Sequence, residues 1–160
     1  MVSAVASGDV WSFGSGAFQF EGLPGYLYAR GVTPAYYLGP NGEAAIVSVF
    51  MASQPHTTVE SSAQILRLVE RFKVILSGAE ARYGKAAWPV KEEALPDGQV
   101  RLSLPVQISG PRGPEFLLQF AFISPKADAA ILTVEGPGDA IEAWGKFRTH
   151  AESARWQDAR

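Results

Sequence analysis

Apolar and polar positions alternate along the first fifty residues in short, interrupted stretches. Trp11 and Phe13 stand two residues apart, as do Phe18 and Phe20, with Gly14-Ser15-Gly16 between the pairs. Period two on either side of a glycine-rich turn predicts a hairpin, because successive side chains of a strand point to opposite faces. Gly22-Leu23-Pro24-Gly25 then breaks the chain. A second hairpin is predicted from Ala35–Leu38 and Glu43–Met51, joined by Gly39-Pro40-Asn41-Gly42. Asn-Gly takes the positive φ angles of a tight turn readily. Nearly every residue of Ala44–Met51 is apolar, the pattern of a central strand covered on both faces.

The period then changes. Ile65, Val69, Phe72 and Leu76 fall at i, i+4, i+7 and i+11, one stripe of an amphipathic helix, with Arg67, Glu70, Arg71 and Lys73 off the stripe. Thr57-Thr58-Val59-Glu60 has the spacing of a capping box at its start. Its end is open between a cap at Gly78 and a further turn, Ala79–Tyr83, before Gly84.

Beyond the turn Pro96-Asp97-Gly98, period two returns. Val100, Leu102, Leu104, Val106 and Ile108 alternate with Arg101, Ser103, Pro105, Gln107 and Ser109, which predicts a strand with its polar side to solvent. Pro105 has no N–H for a ladder, so an edge position or a bulge is expected there. Phe116, Leu118, Phe120 and Phe122 share one face of the next strand, and Leu117, Ala121 and Ile123 share the other with Gln119. Ala129–Val134 is a third strand, and connections this short predict an antiparallel meander. A closing helix starts after Gly136-Pro137-Gly138 with Asp139 as N-cap and Ile141, Trp144, Phe147 or Arg148, and Ala151 on its inner side. Gly145 weakens it by about 1 kcal/mol relative to alanine, so packing must hold it. Strands, long helix, strands and terminal helix together predict an α+β fold, an antiparallel sheet with both helices packed on it. One domain is expected over residues 1–160, with its core over 10–156.

Three stretches carry a resemblance: the aromatic hairpin ending in Gly22-Leu23-Pro24, the amphipathic helix after Thr58, and the ending AILTVEGPGDAIEAWGKF. From Trp11 to Trp156 the layout resembles the PsbP-like fold, shared by an extrinsic photosystem subunit, a eukaryotic Ran-binding protein and many small bacterial proteins. The resemblance implies binding more than catalysis, since the family has no common catalytic set. Its bacterial members include effector chaperones and immunity-type proteins linked to secretion systems, and lipid-anchored envelope proteins. These 160 residues do not contain the lipid-bearing cysteine of the anchored members.

Composition narrows the choice. The chain has 160 residues, 14 basic against 16 acidic, and a net charge of −2, which argues against a nucleic-acid partner that needs a concentrated basic surface. No run approaches the ~18 apolar residues of a membrane-spanning helix. Absent cysteine removes disulfides, thiolate nucleophiles and cysteine zinc sites. The first residues lack a basic n-region and a long apolar run, so the chain reads as cytoplasmic. A periplasmic location remains if a signal once preceded Met1, since Ala4-Val5-Ala6 has the small-x-small form of a cleavage site.

Candidate chemistry is sparse. His56 and His150 stand apart from each other and outside metal-binding spacing, so neither metal nor cofactor is expected. Ser15 lacks the full nucleophile elbow, and Gly39-Pro40-Asn41-Gly42-Glu43 lacks the lysine and helix of a phosphate loop. Glu92, Glu93 and Asp97 form the densest carboxylate group, but neighbours on a strand diverge. The tyrosines are more promising. Tyr28, Arg30, Tyr36 and Tyr37 cluster between turns near Tyr26, and tyrosine and arginine are favoured interface anchors. If Tyr36 and Tyr37 lie on a strand, one of them faces away from the core. The expected function is a non-catalytic protein-binding module whose partner is a secreted effector or a segment of one, with a homodimer left open. The alternative is an apolar-ligand or lipid pocket between helix and sheet, lined by Phe116, Phe120 and Phe122.

Overall fold

The computed structural model describes residues 10–14, 16–51 and 58–157. The aromatic hairpin is Val10–Phe13 (β1) against Phe18–Glu21 (β2), with Trp11, Phe13, Phe18 and Phe20 all buried. Arg155–Trp156 (β11) pairs with the free side of β2 and completes a three-stranded sheet. A second sheet of eight antiparallel strands runs in the spatial order Leu27–Arg30 (β3), Ala35–Leu38 (β4), Ala44–Phe50 (β5), Ala129–Pro137 (β10), Gly113–Ile123 (β9), Val100–Gly110 (β8) and Lys85–Ala86 (β6). Lys91–Ala94 (β7) also pairs with β8, beside β6. The expected Asn-Gly turn joins β4 to β5, with Gly42 at φ +85°. The meander β8-β9-β10 forms as expected.

Each face of the large sheet carries its own core. Leu102, Leu104, Val106, Leu117, Ala121, Ile123 and Ala129 pack under Val69, Phe72, Leu76 and Ala79 of the long helix Thr58–Tyr83 (α1). On the opposite face Phe116, Leu118, Phe120, Phe122, Leu132 and Val134 meet the small sheet and the closing helix Ala140–Glu152 (α2). The two phenylalanine and leucine faces of β9 are thus both buried, as its sequence pattern implies.

Four details differ from the sequence reading. Arg101 and Ser103 of β8 are buried, because α2 and the β6–β7 segment cover the side expected to face solvent. Pro105 is neither at a sheet edge nor in a bulge: β8 is paired in unbroken register with β9, and on its other side the neighbouring strand breaks between β6 and β7. The Pro105 carbonyl accepts from Ala87 N at 2.9 Å in that break, so the missing N–H interrupts no ladder. Strand β5 lies inside the sheet, yet only Ala45 and Val47 on one of its faces are buried. Finally, Ile141 is 61% exposed, and α2 turns Ala140, Ala143, Phe147 and Ala151 inward instead.

Helix α1 passes through Gly78 and stops at Gly84, where a Cβ would lie 2.0 Å from the Gln107 carbonyl oxygen. Thr57 of the expected capping box lies outside the described residues, as do Ser15, His56 and residues 1–9. Asp139 caps α2 as expected, accepting from Ile141 N and Glu142 N, both at 3.0 Å. Asp139→Ala is expected to lower stability by about 1 kcal/mol, measured by urea unfolding. An unchanged midpoint would show that packing alone holds the helix start.

Candidate partner-binding surface

Strands β3 and β4 form one edge of the large sheet and carry all four candidate residues. Residues two apart on β4 share a face, so Tyr36 and Tyr37 diverge. Tyr37 turns into the core and stacks on Trp11, with centroids 3.8 Å apart and planes at 13°. Burial, and then the neighbouring Tyr28, push its hydroxyl up to about 12. Tyr28 packs edge-on to Tyr37 at 5.5 Å, and its hydroxyl donates to the Gly31 carbonyl oxygen. Tyr26 is buried deeper, its phenol raised by burial and then by Glu43, and its hydroxyl has no partner among the described residues.

Tyr36 faces the other way. It is half-buried on the α1 side of the sheet, and the Arg30 guanidinium lies over its ring at 4.7 Å. A bulge after Tyr28 puts Arg30 opposite Tyr36. The structure therefore divides the four residues, Arg30 and Tyr36 on one face and Tyr28 and Tyr37 on the other.

The Arg30–Tyr36 pair stands on a part of the sheet that α1 leaves open. Helix α1 packs on β8, β9 and β6, and its Lys73 reaches outward to Glu92 of β7 at 2.6 Å. Apart from a contact between the Phe50 and Phe72 rings at the end of β5, 6.4 Å between centroids, no helix covers this side of β5, β4 and β3 among the described residues. The register there lines up Arg30, Tyr36, Ile46, Thr133 and Gln119 in one cross-strand row, with Leu27, Leu38, Ala44 and Glu135 in the next. Leu38 is 55% exposed and Phe50 52%, so this face offers apolar area to solvent. Sequence reasoning missed Leu27, Leu38, Ile46 and Phe50. Their signal was the i, i+2 spacing of Tyr36 with Leu38 and the i, i+4 spacing of Ile46 with Phe50, which places each set on one face.

The remaining candidates separate. Glu92 pairs with Lys73 on the α1 side, whereas Glu93 accepts from Arg101 Nε at 3.2 Å and Nη2 at 3.1 Å, on the side of α2. His150 Nδ1 lies 3.3 Å from the Glu21 carbonyl oxygen in the last turn of α2. Phe116, Phe120 and Phe122 do not share a cavity; Phe147, Trp144 and Phe18 respectively fill the space against them. A cavity of about 470 Å³ lies elsewhere, at the junction of the two sheets beside Trp156, Gln99 and Ser124. Gln99 and Ser124 already hydrogen-bond to the surrounding backbone.

No family model matches the sequence, and neither does any curated protein. Among solved structures, the chain is similar to cyanobacterial PsbP (CyanoP) from Synechocystis sp. PCC 6803, seen in its solution structure. The TM-score is 0.57 at 15% identity, over 96% of this chain and 95% of that one. The fold is PsbP-like. No helix among the described residues is long and apolar enough to cross a membrane.

Proposed function

We propose that this protein is a non-catalytic protein-binding module, and that its contact surface is the uncovered half of the large sheet around Arg30 and Tyr36. The observation that carries the reading is the apolar row structure of that face, with Leu27, Tyr36, Leu38 and Ile46 on the α1 side of the sheet but beyond the strands that the helix packs on. An arginine held over a tyrosine ring offers the mixed apolar and cationic contact on which interfaces concentrate their energy. Tyr28 and Tyr37 support the strand from behind. The partner we propose is a secreted effector or a segment of one, bound by a cytoplasmic immunity or chaperone protein of the kind the PsbP-like resemblance implies.

Co-purification from native lysate, read by mass spectrometry, identifies the partner. The double variant Arg30→Ala, Tyr36→Ala is then expected to weaken its binding by roughly 1 to 3 kcal/mol. Calorimetry checks the affinity and urea unfolding the stability, which should change far less. Unaltered affinity would place the contact surface elsewhere.

A further inference from the structure

Among the described residues one arginine is buried. Arg101 of β8 is 7% exposed, and an arginine so placed is rare unless its charge is answered. Glu93 answers it from one side only, through Nε and Nη2. A guanidinium has five N–H donors in a fixed fork, so this side-on pair leaves the Nη1 end over. Among the described residues Nη1 donates to nothing.

Arg101 forms one wall of a cleft of about 120 Å³ between β7, β8 and α2. Phe120 and Trp144 give it aromatic surface, and Lys91, Arg148, Glu93 and Glu152 complete the charged lining. Three cations thus face two carboxylates. Arg148 Nε donates to Glu152 at 3.2 Å, while Lys91 Nζ stands 3.9 Å from Glu93, too far for a hydrogen bond. The three cations converge on the cleft as its lining, and the Glu93 carboxyl is held below its ordinary range by the Arg101 hydrogen bonds first, and then by the charges of Arg101, Lys91 and Arg148. A second polar group is left over nearby. The Ser103 hydroxyl, two residues along β8 on the same face and in register with Lys91 and Phe120, is buried without a partner.

We infer that this cleft is a binding site for one small oxyanion, a carboxylate or a phosphate group. An oxyanion there would accept from Arg101 Nη1, balance the surplus positive charge and rest on the Trp144 and Phe120 rings. The volume suits this size of ligand and falls well short of the ~300 Å³ at which larger organic ligands are held. The site lies on the α2 side of the sheet, opposite the Arg30–Tyr36 face, and stands independently of the function proposed for that face.

The test is a titration of the full chain at constant ionic strength with sodium phosphate, sodium acetate and, as a control, sodium chloride. Two-dimensional ¹⁵N NMR follows the Arg101 Nε–H and the Trp144 indole N–H. Saturating shifts confined to these resonances and their neighbours are expected with phosphate, acetate or both. Saturation by acetate points to a carboxylate supplied by a partner or metabolite, and saturation by phosphate alone to a phosphate source. Lys91→Ala and Arg148→Ala, whose side chains are exposed enough to spare the fold, should each raise the half-saturating concentration roughly two- to fivefold. Arg101→Lys should abolish saturation while keeping the charge. Linear drift matching chloride, or saturation that neither surface variant alters, would overturn the assignment.

Discussion

Replacing Trp156 by alanine is expected to lower the unfolding free energy by roughly 3 to 5 kcal/mol, the range for deleting a large buried aromatic side chain. The residue is 5% exposed although it lies four positions from the end of the chain. Its ring packs on Phe18 at 5.2 Å, and its Nε1 donates to the Phe122 carbonyl oxygen at 3.0 Å. Through these contacts it joins the small sheet to the large one. Strand β11 has only two residues and pairs only with β2, so little else fixes it. The Gln99 side chain adds a clamp, accepting from Trp156 N at 2.9 Å and donating to Trp156 O at 3.0 Å. Gln99 is itself buried, so releasing the strand would leave an unpaired amide in the core, which adds to the penalty. Urea unfolding followed by circular dichroism and by Trp fluorescence checks the value. A loss below about 1 kcal/mol, against the range for a buried aromatic, would mean that the terminal strand does not close the core.

The fold was legible in the sequence where one physical signal acted alone. Strand β9 sets Phe116, Leu118, Phe120 and Phe122 on one parity and Leu117, Ala121 and Ile123 on the other, and a strand so written needs a core on both faces. Asp139 after Gly138 could be little other than a cap. The signals that misled were those in which chain-distant cover decides. Arg101 and Ser103 read as solvent-facing because alternation reports polarity, and their burial comes from α2, some forty residues further on. Pairing beyond the strand itself also hid the meaning of Pro105, whose missing donor falls in a gap that only the β6–β7 pairing creates. Ile141 looked inward by hydrophobicity, but small Ala140 and Ala143 allow α2 to approach the sheet and turn Ile141 out. For the candidate surface, residue types picked out Arg30 and Tyr36, and strand geometry required Tyr36 and Tyr37 to diverge. Which of the two enters the core depends on Trp11, and a single strand carries no information about that partner.

The adjacent glutamates of β7 should respond in opposite ways to the same substitution. Glu93→Ala removes the carboxylate facing Arg101, whose side chain is 8% exposed, and leaves a buried cation without an answer. Breaking a fully buried pair costs about 3 to 5 kcal/mol; the 29% exposure of Glu93 admits water, so about 2 to 3 kcal/mol is expected. Glu92→Ala removes only a surface contact to Lys73 and should leave the unfolding midpoint unchanged. The pH dependence separates the charge from the packing. Glu93 is held below its ordinary range by Arg101, so the unfolded chain takes up the proton more readily than the folded one. Its contribution is therefore fully present above the ordinary glutamate value of about 4.3 and is lost as pH falls through the lower folded value. Stability curves of the native chain and of Glu93→Ala should run apart at neutral pH and draw together as acid is added below that ordinary value. A gap that stays constant down to acid pH would show that Glu93 acts by packing and that its charge does not hold Arg101 in the core.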